Sequence, residues 1–239
     1  METPTPSVEY FYFNAMFPLN DEKRIDLLTT AKNGMIPLMD LNPTDLGCLY
    51  LSDILSRLGK IKYEDKEYEE ATKYYEQSTH YGEIMVKLCP SASRYCSFAD
   101  LCFKANDPRA SDLYLRAIEL GSYRACFHYG WFLHNKKDFN SAIFYYDKAI
   151  EDKTMSKCLP ARITGNIGSI YHERFIKEHN QDDFKQAEIH YEKAIHMIEG
   201  HKDPTACILL PILHSGSINE FWIEHKRMTE SMFRGVIMI

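Results

Sequence analysis

The sequence has no uncharged apolar stretch approaching the roughly 20 residues a membrane-spanning helix needs. The run nearest the C-terminus, Cys207 to Leu213, is broken by Pro211. It has no basic patch either: the formal charge is −6 and the pI about 5.9, whereas a dedicated nucleic-acid binder gathers Lys and Arg on one face. No Cys-x-x-Cys pair occurs among Cys48, Cys89, Cys96, Cys102, Cys126, Cys158 and Cys207, and the sequon Asn42-Pro43-Thr44 is closed by its proline. The aromatic stretch Val8 to Leu19 carries no small-residue cleavage site, and Glu2 and Glu9 stand where a secretion signal wants Lys or Arg. The expectation is a cytoplasmic, reducing setting in which each cysteine is a small buried hydrophobe.

Local signatures of chemistry are equally scarce. There is no glycine-rich phosphate loop, no Gly-x-Ser-x-Gly elbow and no Cys-His dyad with local context. His172-Glu173 opens like a zinc-protease helix, but position 176 is Ile, so one helix face cannot supply two ligands. His190, His196 and His201 are spaced by six and five, which does not align imidazoles on a helix. The expectation is therefore no catalytic, cofactor or metal residues and no cofactor. An enzyme whose site is assembled from distant helices stays open as an alternative.

What is present is a recurrence. The 239 residues are 45% apolar and 26% charged, enough for one or two compact domains or one elongated repeat domain. Four segments share one pattern: Ala71, Tyr75, Ser78; Ala110, Tyr114, Ala117; Ala142, Tyr146, Ala149; and Ala187, Tyr191, Ala194. Steps of four and then three keep the residues on one helical face, and two small residues beside a ring leave a notch for a neighbouring helix. The opening alanines lie 39, 32 and 45 residues apart, room for a second helix and two turns each time. No segment alternates with period two, so the chain reads as all-α, built of helical hairpins.

The partner helix lies upstream of each box. In the clearest copy Ser122 caps, Ala125, Cys126, Tyr129, Gly130 and Leu133 form an apolar stripe, Asn135 to Asp138 form a polar turn, and the second helix opens at Asp138. The fourth copy carries Ile163, Ile167, Gly168, Ile170 and Tyr171, then a charged stretch, Glu173 to Asp183, read as an extended helix plus loop. Asn42-Pro43, Asp107-Pro108 and Asp203-Pro204 predict helix starts, and Gly34, Gly59, Gly82, Gly121 and Gly200 predict helix stops.

These residues resemble the tetratricopeptide repeat and its SEL-like variant. Tyr129-Gly130, Leu133, Ala142, Tyr146 and Ala149 fall at tetratricopeptide positions, and Ala117 to Ala125 and Ala31 to Gly34 look like SEL-like joints. The resemblance implies a right-handed solenoid of antiparallel hairpins over residues 21–200, with 1–20 a flexible or capping segment and 201–239 capping helices. It implies an adaptor whose concave wall, lined by first helices, takes a peptide or helix of a protein partner, without nucleic acid and without membrane insertion. The corresponding groove positions are Tyr95, Cys102, Arg124, Phe127, Trp131, His134, Arg162, Ser169 and His172. The clamp of Lys, Asn and Arg by which some relatives grip C-terminal carboxylates is missing, since Phe127 and Trp131 stand where it would want Lys and Asn. The aromatic cluster Tyr10 to Phe13 with Phe17 and the apolar end Gly235 to Ile239 support a second reading, a structural subunit that assembles as a homo-oligomer through its ends.

Overall fold

A computed structural model describes Tyr12 and residues 21–152 and 158–198 of the chain. Its described elements are all helical: α1 (Asp21–Leu41), α2 (Asp45–Glu64), α3 (Tyr68–Leu88), α4 (Ala92–Lys104), α5 (Ala110–Glu119), α6 (Tyr123–Asn135), α7 (Phe139–Ile150), α8 (Cys158–Glu178) and α9 (Gln181–Ile198). Two compact units result, Met1–Phe132 and Leu133–Ile239, divided within α6. No described helix is long and apolar enough to cross a membrane. Most of the N-terminal aromatic cluster, the Asp203-Pro204 start, Gly200, Cys207 and the apolar C-terminal end lie outside the described residues.

In the first unit α2 packs along α3 and α4 along α5, α3 lies against α4, α1 against α2, and α2 touches α4. In the second, α8 packs along α9 and α7 meets α8. The Ala-Tyr-Ala boxes lie on α3, α5, α7 and α9, and their small residues are buried in every copy. Ser78, which replaces the usual alanine, is accommodated because its hydroxyl donates to the Ser52 carbonyl at 2.8 Å. A buried hydroxyl with a partner avoids the desolvation cost that an orphan would carry.

The turns share one device that the sequence does not advertise. Lys66, Asn106, Lys137 and His179 have φ of 66°, 53°, 64° and 54°, and they sit in the α2–α3, α4–α5, α6–α7 and α8–α9 connections respectively. At three of them the preceding helix ends in paired backbone bonds: Lys66 N–H to Tyr63 O with Glu67 N–H to Lys62 O, Asn106 to Phe103 with Asp107 to Cys102, and Lys137 to His134 with Asp138 to Leu133. This closure satisfies the last helical carbonyls and requires a left-handed residue. His179 closes α8 with a single bond to Phe175 O. Gly121, at φ 84°, ends α5 in the same paired way.

Gly34, Gly59 and Gly82 do not stop helices; they lie inside α1, α2 and α3. Two of them have a packing reason. A Cβ at Gly59 would come within 3.0 Å of the Tyr75 ring, and one at Gly82 within 2.7 Å of Phe98, so both serve close approach of helices and not termination. The proposed joint Ala31 to Gly34 is likewise interior to α1, which runs on through Pro37. Leu28, Ala31, Met35 and Met39 are buried along one stripe of that helix, and burial of such a stripe outweighs local breakers. The start predicted at Asn42 belongs to Thr44, whose hydroxyl accepts from Gly47 N–H at 3.1 Å. Ser122 and Asp138 cap as expected, accepting from Ala125 N–H at 3.1 Å and Ser141 N–H at 3.3 Å. In the fourth copy the extra length is helix: α8 runs to Glu178, and α9 begins at Gln181.

Candidate functional site

The first unit presents one face of each first helix. On α2 this face carries Tyr50, Asp53 and Arg57, and on α4 Ser97, Asp100, Leu101 and Lys104; with Tyr12 these line a cleft of about 240 Å³. Spacings of three, four and seven residues put each set on one stripe. Arg94 on α4 holds Asp45 at the start of α2 at 2.7 Å, which fixes the two stripes side by side and draws the Asp45 carboxyl below its usual range through the Arg94 hydrogen bond.

α6 is set in place by aromatic packing on its inner side. Tyr129 and Phe132 lie 5.7 and 5.8 Å from the fully buried Tyr114 ring, and Phe132 meets Phe103 edge-on at 5.3 Å. Ala125 and Cys126 are buried with them. Arg124, His128 and Trp131, at i, i+4 and i+7, follow another stripe of the helix. Trp131 is 43% exposed, and the Arg124 guanidinium approaches His128 Nε2 at 3.5 Å.

Asp100 joins α4, α5 and α6. Its Oδ1 accepts from the Tyr114 hydroxyl at 2.5 Å and faces His128 Nδ1 at 3.0 Å. With Arg124 donating toward Nε2, the network assigns the imidazole proton to Nδ1. Burial, and then the Asp100 charge, drive the Tyr114 phenol far above its ordinary value. Cys96 completes a group of three metal-ligating side chains with Asp100 and His128, whose ligand atoms lie within 4.8 Å of one another. Burial, then the Asp100 charge, push the Cys96 thiol up to about 12. Tyr114, Asp100, His128 and Arg124 are thus linked in one hydrogen-bonded junction beside Cys96.

The residues predicted for the groove divide. Arg124 and Trp131 are exposed together on α6. Cys102 is fully buried, and Phe127 and His134 nearly so, so these three point inward and do not line a wall. Tyr95 is half-buried and meets Arg116 of α5 through its hydroxyl, placing it toward a second helix. In the second unit Arg162 is exposed and Ser169 half-buried on α8, while His172 turns edge-on to the Tyr191 ring of α9 at 6.5 Å. His134 faces Glu173 Oε1 at 3.0 Å, and Lys137 donates to Glu173 Oε2 at 2.6 Å. Tyr50, Asp53, Asp100 and His128 were not predicted, and Tyr12 was singled out only within the aromatic cluster Tyr10 to Phe13. For His128 the signal was its i+4 position after Arg124; for the others only contact between separate helices reveals them.

The tetratricopeptide repeat profile matches residues 123–151, which span α6, the Lys137 turn and α7. These residues are a tetratricopeptide repeat. The same architecture recurs in solved structures: BtubC from P. vanneervenii is 17% identical with a TM-score of 0.55, covering 88% of this chain and 91% of that one. Human IFIT1, solved as a dimer with PPP-AAAA, is 14% identical with a TM-score of 0.54, covering 98% of this chain and 50% of that one. YrrB, described as a tetratricopeptide-repeat protein with an unusual peptide-binding site, is 16% identical with a TM-score of 0.47, covering 84% of this chain and 89% of that one. No curated protein sequence matches the chain. At these identities the likeness to BtubC and IFIT1 establishes the fold, an all-α helical repeat of tetratricopeptide type to which SEL-like repeats are related, with α6 and α7 as first and second helix of the matched repeat.

Proposed function

We propose that this tetratricopeptide-repeat protein is an interaction scaffold that holds a peptide or helix of a protein partner against its first helices, by binding and without chemistry of its own. The observation that carries this reading is Trp131, 43% exposed on the first helix of the matched repeat, on one stripe with Arg124 and His128. Trp and Arg are the residue types that dominate binding hot spots, because they bring large area and directed hydrogen bonds at small entropic cost. The wall beside it mixes Asp53 and Asp100 with Arg57, Lys104 and Arg124, which suits a protein ligand of mixed charge better than a polyanion. Six described cysteines are free, five of them buried, which supports a reducing compartment, and we place the protein in the cytoplasm. On this reading residues 21–200 are the working array, and within the second unit Arg162 and Ser169 of α8 are the candidate contact positions.

The test is affinity capture from native lysate with the intact chain and a Trp131→Ala/Arg124→Glu variant, after circular dichroism shows both folded. A partner retained by the intact chain alone supports the wall as the binding surface. Equal retention by both forms removes it. Retention of further copies of the bait alone favours the homo-oligomer reading, which sedimentation at several concentrations then checks.

A further inference from the structure

Tyr12 is the one described residue of the N-terminal stretch 1–20, and it lies on the first-helix wall. Its ring stacks on Tyr50 with centroids 4.2 Å apart and planes 19° from parallel. Its hydroxyl donates to Asp53 Oδ2 at 3.1 Å, the oxygen that Arg57 Nε also holds at 2.8 Å. The side chain sits in the cleft between α2 and α4 with Ser97 and Lys104 at its rim. Burial, followed by the Asp53 charge, pushes the phenol up to about 12, so it remains a donor throughout the physiological range.

We propose that Tyr12 is a resident ligand of this wall, and that an outside partner engages the same pocket through a tyrosine side chain, displacing Tyr12. This deepens the scaffold reading and rests on it. The chemistry of the pocket is specific in three respects. Tyr50 offers a flat apolar surface that any aromatic ring can stack upon. Asp53, oriented by Arg57, is an acceptor and therefore rewards a ring that carries a donor, which separates tyrosine from phenylalanine. A phosphorylated tyrosine would set its negative charge directly against Asp53 and is disfavoured. Tyr12 is joined through its own chain to α1, which packs against α2, and such an intramolecular connection supplies an effective concentration on the order of millimolar, enough to mask the pocket from a ligand of ordinary affinity.

The experiment uses the full chain, intact and as Tyr12→Ala, titrated by fluorescence anisotropy with a labelled, end-blocked peptide of sequence Val8 to Phe17. Three versions of the peptide are compared: unmodified, Tyr12→Phe, and phosphorylated at Tyr12. The Tyr12→Ala chain is expected to bind the unmodified peptide about tenfold or more tighter than the intact chain, the Phe peptide about tenfold weaker than the unmodified one, and the phosphopeptide weaker still. Asp53→Ala introduced into the Tyr12→Ala chain is expected to erase the distinction between Tyr and Phe peptides, with folding checked by thermal melting. Equal binding by the intact and Tyr12→Ala chains, no binding by the Tyr12→Ala chain, or indifference to the hydroxyl overturns the proposal. Because this readout needs no cellular partner, its failure is separate from failure of the Trp131/Arg124 capture, which would remove the scaffold reading instead.

Discussion

Gly168 of α8 and Tyr191 of α9 meet so closely that a Cβ on the glycine would lie 3.0 Å from the ring Cδ1. Tyr191 is buried and its ring has little room to give way. Gly168→Val is expected to cost about 2 kcal/mol: overpacking a filled contact costs roughly 1–3 kcal/mol, and relieving glycine's helix penalty returns less than about 1. At the equivalent contact of the first copy, Gly59 against Tyr75, the ring is half-buried, so Gly59→Ala is expected to be neutral or stabilising. Urea unfolding of both variants separates the two cases, and equal losses would refute the distinction.

Lys66 is exposed and holds φ 66°. A non-glycine residue in the left-handed region carries a penalty of about 1 kcal/mol or more, while glycine loses about 0.5–1 kcal/mol of extra backbone entropy on folding. Lys66→Gly should therefore raise stability by about 0.5 kcal/mol, and Lys66→Val should lower it by about 1 or more. Melting temperatures of the two variants should shift in opposite directions.

Arg174 approaches the buried Asp183 with Nη2 to Oδ1 at 3.3 Å and covers the Tyr171 ring at 5.6 Å. Arg174→Met keeps the volume but strands a buried carboxylate, a loss of about 3 kcal/mol. Adding Asp183→Asn should recover part of it, because the stranded charge is then gone. Strict additivity of the two substitutions in chemical denaturation would show that the residues do not act as a pair.

The acid stability of the second unit should depend on Glu173. Burial acts to raise its carboxyl, but hydrogen bonds with Lys137 and His134 outweigh it and hold it below the ordinary 4.5. A carboxyl lowered on folding contributes stability that is complete above its unfolded value and is lost as pH falls through the folded one. The contribution should therefore fade below about pH 4.5, the ordinary glutamate value. Glu173→Gln should lower the melting temperature at pH 7 and flatten its decline toward pH 3. A parallel decline in both proteins would count against the assignment.

The helical hairpins were legible because Ala-Tyr-Ala spacing is a local signal, and Tyr114, Tyr146 and Tyr191 are all buried as it implies. Glycine misled at Gly59 and Gly82 because one residue type serves both helix ends and close helix contacts, and only the neighbour across the interface distinguishes them. The wall was half legible. Arg124 and Trp131 follow from the period of α6, whereas Phe127 and His128 are adjacent and exchange roles: Phe127 is buried and His128 turns to Asp100. Periodicity fixes which residues share a stripe, but where that stripe ends depends on helices distant in sequence. Tyr12 had no periodic context, so its place on α2 emerges only from the packed chain.

The left-handed joints at Lys66, Asn106, Lys137 and His179 fall 40, 31 and 42 residues apart, an uneven rhythm with a constant corner. Length drift between copies has therefore been taken up in the helical arms, as in the 21 residues of α8 against the 13 of α6, while the elbow stayed fixed. None of the four elbows is a glycine, so a search keyed to glycine would pass over all of them. Counting from one elbow to the next restores the register of the copies where consensus letters have worn away.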